Sequence, residues 1–122
     1  MSNLALLYEW QGREAEQFYW QERVEGYRRN NPYYYAGLGD EAAGTGDWQA
    51  ALEYYQRAVR LSPENSQLLF ARSLIYYQLD NLEAAAADLK RAIEHATLRS
   101  DLDSYQWQLE QLRRAGVAGT RD

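Results

Sequence analysis

"GDWQAALEYYQRAVRLSP", residues 46–63, sets alanine at 51 and 58, tyrosine at 55 and a closing proline at 63. An isolated amphipathic helix needs only an apolar stripe. Fixed small residues between a Gly-Asp opening and a terminal proline ask for a second copy. Moving the stretch along the chain by 34 residues finds one. Gly46-Asp47-Trp48 falls on Asp80-Asn81-Leu82, Ala51 on Ala85, Tyr55 on Leu89, Ala58 on Ala92 and Val59 on Ile93. Upstream, Tyr35 falls on Leu69 and Gly39 on Ser73; Leu38 falls on Arg72, the one exception to bulky-on-bulky agreement. Such self-similarity at a fixed period is the mark of stacked supersecondary units, none of which buries its apolar face alone.

The period, the small residues Gly39, Ala51 and Ala58, the aromatics Tyr35 and Tyr55, and the closing Pro63 resemble a tetratricopeptide repeat. Residues 32–65 fill nearly every marked position, departing at Ala42, where an aromatic is usual. Residues 66–99 supply that aromatic as Tyr76 but carry Thr97 in place of the proline. The resemblance implies an all-α solenoid of antiparallel helix pairs. Residues 1–31 read as a partial unit, with Gly12-Arg13 as its turn, and 32–65 and 66–99 as full units. Residues 100–116 read as a C-terminal capping helix with Ser100 or Asp101 as N-cap and Gly116 as its stop, and 117–122 as a flexible tail. About seven helices are expected, at 3–11, 14–30, 33–43, 48–61, 66–79, 82–96 and 101–114. Alanine at 51, 58, 85 and 92 lets helix axes approach, while Tyr55 and Leu89 fill the space between them. The glycine-rich third helix needs support from Tyr33, Tyr34, Tyr35 and Leu38, since each glycine costs roughly 1 kcal/mol against alanine.

Composition narrows the function. Thirteen basic residues stand against eighteen acidic, a net charge of −5, and the basic residues cluster only in pairs. Nucleic-acid binding needs clustered cations and is not expected. No apolar run reaches membrane-spanning length, so no membrane partner is expected. No cysteine is present, and the compartment is unspecified, with the cytoplasm as the default. His95 is the single histidine and reads as a helix C-terminal residue, so no metal or cofactor is expected. The paired carboxylates at 14/16, 22/25 and 101/103 read as solvated faces, and "AGLGDEAAGTG" lacks the Lys-Ser/Thr of a phosphate loop. No catalytic constellation emerges.

What the resemblance implies instead is a concave groove lined by the first helix of each unit. Transferring those positions gives Tyr33, Ala36, Asp40 and Ala43, then Gln67, Phe70, Leu74 and Tyr77, with Leu6, Glu9 and Trp10 from the partial unit. Some members clamp a peptide carboxylate with Lys and Asn; here Ala36/Asp40 and Phe70/Leu74 stand at those positions, so that clamp is not expected. The expected ligand is a peptide or protein with apolar anchors and basic residues opposite Asp40 or Glu9. Phe70, Leu74 and Tyr77 read equally as core or as groove wall from the residues alone. The expected role is a non-catalytic interaction module, in style like bacterial repeat arrays. The alternative is a substrate-recruiting or self-associating segment of a larger enzyme-containing protein, with a homodimer formed through the truncated N-terminal edge.

Overall fold

The computed structural model describes residues 3–116, with side chains from residue 11 onward. Leu6, Glu9 and Trp10 as side chains, and the tail 117–122, lie outside the described residues. Six helices follow in order: α1 (Asn3–Arg29), α2 (Pro32–Gly44), α3 (Trp48–Leu61), α4 (Ser66–Gln78), α5 (Leu82–His95) and α6 (Arg99–Arg114). The first helix belongs to one compact unit, residues 1–31, and the other five to a second, residues 32–122.

The turn expected at Gly12-Arg13 is not made; α1 runs through it as one helix, which makes six helices of the expected seven. Gly12 is flanked by Gln11, Arg13, Glu14 and Ala15, good helix formers, and one glycine costing roughly 1 kcal/mol does not stop such a run. The connection between α2 and α3 is different. Gly46 adopts φ +82°, which a side chain resists, and Asp47 then caps α3 by accepting from Ala50 N at 3.1 Å. The same device recurs 34 residues on, with Asp80 at φ 62° and Asn81 accepting from Ala84 N at 3.2 Å. α6 departs from expectation: its N-cap is Leu98, which offers no side-chain hydrogen bond, rather than Ser100 or Asp101. Its C-terminal stop is Gly116 at φ +81°.

In the second unit α2 packs on α3, α3 on α4, α4 on α5 and α5 on α6. The core is built at the small positions: Ala51, Ala58, Ala85 and Ala92 are almost wholly inaccessible, with Leu69, Leu89, Tyr105 and Leu112 between them. Of the residues expected to support α2, Tyr35 packs half-buried against the core and Leu38 is half-buried, while Tyr33 and Tyr34 are exposed; Ala36 and Gly39 are the buried residues. A Cβ on Gly39 would come within 2.5 Å of the Tyr55 ring, so the side chain is missing where α3 approaches. Gly37 faces open space. Gly37→Ala is therefore expected to stabilise the protein by about 0.5–1 kcal/mol, read from urea unfolding. A loss of stability would show that α2 needs glycine there.

The Tyr55 hydroxyl donates to Asp40. Burial, followed by this hydrogen bond and the Asp40 charge, pushes the Tyr55 phenol far above its ordinary value of 10.0. The unfolded chain ionises Tyr55 at the ordinary value, the folded chain only at higher pH. Its contribution is therefore intact below pH 10.0 and is lost as pH rises beyond it. Burial moves Tyr105 in the same direction, with its hydrogen bond to Ser66 opposing. Unfolding midpoints taken between neutral pH and about pH 11 should fall more steeply for the natural chain than for Tyr55→Phe.

Candidate functional site

Two helices, α2 and α4, carry the positions expected to meet a ligand. Each presents them at i, i+3, i+7 and i+10, so they share one face of each helix. On α2, Tyr33 is 59% exposed and Asp40 is exposed; Ala36 is buried and Ala43 half-buried. On α4, Gln67 is exposed, Leu74 is 39% and Tyr77 48% exposed. Phe70 is not a free wall. It is half-buried and packs its ring on buried Tyr105 at 4.8 Å, tying α4 to α6.

Polar contacts hold neighbouring helices in register along this face. Asn65, which caps α4 through its side-chain oxygen, donates from Nδ2 to the Tyr33 hydroxyl at 2.8 Å. Gln67 Nε2 donates to Asp101 Oδ2 of α6 at 3.3 Å. Gln67 and Asp101 stand one period apart, so α6 continues the row with Asp101 and Gln108. The period itself points to them, since 67 and 74 advanced by 34 give 101 and 108, whereas the apolar stripe of α6 points only to a cap.

The charge on this face has one sign. α2 carries Asp40 and Glu41, and α4 carries Arg72 alone. Arg72 turns the other way and is taken up by Asp88 of α5, with Nε and Nη2 each donating to a carboxylate oxygen at 2.7 Å. Asp40 accepts from Tyr55, which orients its carboxylate. Among the described residues no group of three or more His, Cys, Asp or Glu is placed to hold a metal ion, and no helix is long and apolar enough to cross a membrane.

Helix pairs of this length, stacked at a 34-residue period with alanine at their contacts, define a helical repeat protein. A family model for the tetratricopeptide repeat matches residues 41–114, from the last turn of α2 through the end of α6. The chain belongs to the tetratricopeptide repeat family. It is also 31% identical over 65 residues, 53% of its length, to a TPR repeat-containing protein of Methanocaldococcus jannaschii. The match covers 12% of that relative. Repeats of this family generally mediate protein–protein interaction and are typically non-catalytic scaffolds.

Proposed function

We propose that the chain is an interaction module whose α2/α4 face receives a peptide segment with apolar anchors and flanking Lys or Arg. The observation that carries this reading is Leu74 and Tyr77 standing exposed one turn apart on α4, whose N-cap Asn65 is hydrogen-bonded to the exposed Tyr33 of α2. Apolar side chains left in water on a surface otherwise able to bury them favour contact with a partner. Tyrosines add large area at low entropic cost and keep a hydroxyl for hydrogen bonding. Asp40 and Asp101 supply negative charge, with no cation on α2, Arg72 paired with Asp88 and Arg99 of α6 paired with Asp103. This complementarity sets orientation and association rate more than affinity.

Selection of a random peptide library on the intact chain tests the reading. Enriched peptides should carry aromatic or aliphatic anchors next to Lys or Arg. Leu74→Asp with Tyr77→Ala should weaken them about tenfold or more, without loss of helicity. Phe70 is left alone, because its ring belongs to the α4–α6 contact. Enrichment of acidic peptides, or binding indifferent to the double substitution, would overturn the assignment.

A further inference from the structure

Exposed large apolar side chains are concentrated on α1. Phe18, Tyr19, Trp20, Val24 and Tyr27 lie within its nineteen described side chains and expose 44–73% of their surface. The five helices of the second unit leave only seven such residues exposed. Aromatic surface on this scale favours a partner.

Three of the five share one side of the helix. Gln17, Trp20, Val24 and Tyr27 follow a 3-4-3 spacing, the a and d positions of a seven-residue repeat, and form one stripe. Trp20 and Val24 line a shallow depression on that side with Gln17, Gln21 and Arg28. Arg13 interrupts the stripe toward the N-terminus, so the apolar seam spans 17–27.

We propose that α1 is a self-association helix, pairing antiparallel with α1 of a second copy through Trp20, Val24 and Tyr27. In this alignment Trp20 packs on Val24 of the partner subunit, and Tyr27 on Gln17 of the partner subunit. The same alignment sets Glu14 beside Arg28 of the partner subunit, and the two-fold axis repeats each contact. Parallel pairing would set Arg23 against Arg28 of the partner subunit at flanking positions on both sides. Antiparallel pairing brings Arg23 opposite Arg23 of the partner subunit once, beside the two-fold axis, against two Glu14–Arg28 pairs, and each Arg23 guanidinium already lies over its own Tyr19 and Trp20 rings at 5.6 and 5.9 Å. Four aromatic rings of roughly 150–250 Å² each, with 55% of Trp20 and 73% of Tyr27 still exposed, bring the seam to about 400–650 Å². Val24 and the aliphatic stems add to this, and the total stays below the ~1,200 Å² of standard specific interfaces, in the range of weak, transient ones. That size fits a dimer in the micromolar range rather than a permanent one. The inference concerns residues other than those of the α2/α4 face and stands or falls apart from it.

Sedimentation equilibrium of the full chain, from micromolar to near-millimolar concentration, is the test. The weight-average mass should rise from 14.2 kDa toward twice that value. Val24→Glu and, separately, Tyr27→Glu should hold it at the monomer mass with helicity unchanged, since both side chains are exposed. Phe18→Ser, off the seam, and Leu74→Asp with Tyr77→Ala, on the other surface, should leave the dimer intact. Monomeric mass throughout for the natural chain, or a dimer that survives Val24→Glu, would overturn the proposal. The chain contains no cysteine, so orientation can be read by oxidation. A mixture of Glu14→Cys and Arg28→Cys should form the mixed disulfide faster than either self-disulfide; faster self-disulfides would overturn the antiparallel arrangement.

Discussion

Asp88→Ala is expected to destabilise the protein by about 3–5 kcal/mol, because it strands a guanidinium in a site built for a pair. Both Arg72 and Asp88 are largely withdrawn from solvent, with side-chain exposures of 15% and 5%. Two parallel hydrogen bonds of 2.7 Å join them, and the Arg72 guanidinium also lies 5.6 Å from the Tyr76 ring centre. The Asp88 hydrogen bond leads the effects raising Arg72 above its ordinary value, against the opposing effect of burial; without Asp88 the guanidinium still stays charged, because arginine is not deprotonated in proteins. The preceding repeat solves the same place differently. One period earlier the equivalent residues are Leu38 and Tyr54, an apolar residue and an aromatic. Arg72→Leu combined with Asp88→Tyr copies that solution into the second repeat. Since a buried ion pair often yields to apolar residues without loss, the double variant should recover most of the deficit of Asp88→Ala. Chemical unfolding of the single and double variants checks this. A double variant as unstable as Asp88→Ala would mean that the two repeats pack differently at this place.

The second large effect is expected at Gly39. A Cβ there would sit 2.5 and 2.7 Å from two atoms of the Tyr55 ring and 3.3 Å from the Ala51 carbonyl oxygen. The ring cannot swing away freely, because its hydroxyl is held by Asp40. Gly39→Val should therefore cost about 3 kcal/mol, the upper part of the range for an overpacked core. Again the next repeat holds the remedy: Ser73 and Leu89 occupy the equivalent positions, both buried, a larger residue facing a smaller one. Gly39→Ser should be damaging alone and largely rescued by Tyr55→Leu, a coupling of about 1 kcal/mol or more in a double-mutant cycle. Additive effects would show that Gly39 is needed for a reason other than the Tyr55 ring.

These two sites show where sequence reading ended. Arg72 stood out as the exception in the internal alignment, yet nothing nearby in sequence pointed to Asp88, sixteen residues away on another helix. Asp40 was read as an acidic residue available to a ligand, whereas part of its capacity is spent on Tyr55. Tyr33 and Phe70 belong to one row in the repeat pattern, yet Tyr33 is largely exposed while Phe70 packs on Tyr105 of α6, a contact that sequence spacing does not reveal.

The sequence by itself determined the period, the helix pairs from residue 32 onward, and the small positions where helices meet. Those features are written along one dimension: a 34-residue spacing, apolar residues three and four apart, and caps beside glycines. Only the tertiary structure decided that residues 3–29 continue as one helix, which residues of the α2/α4 face remain in water, and how Arg72 and Tyr55 are satisfied. The reason is physical. A turn is a balance between one glycine and its helix-forming neighbours, and burial is a property of what packs above a residue. A paired charge, in turn, depends on a partner that adjacency in sequence does not specify.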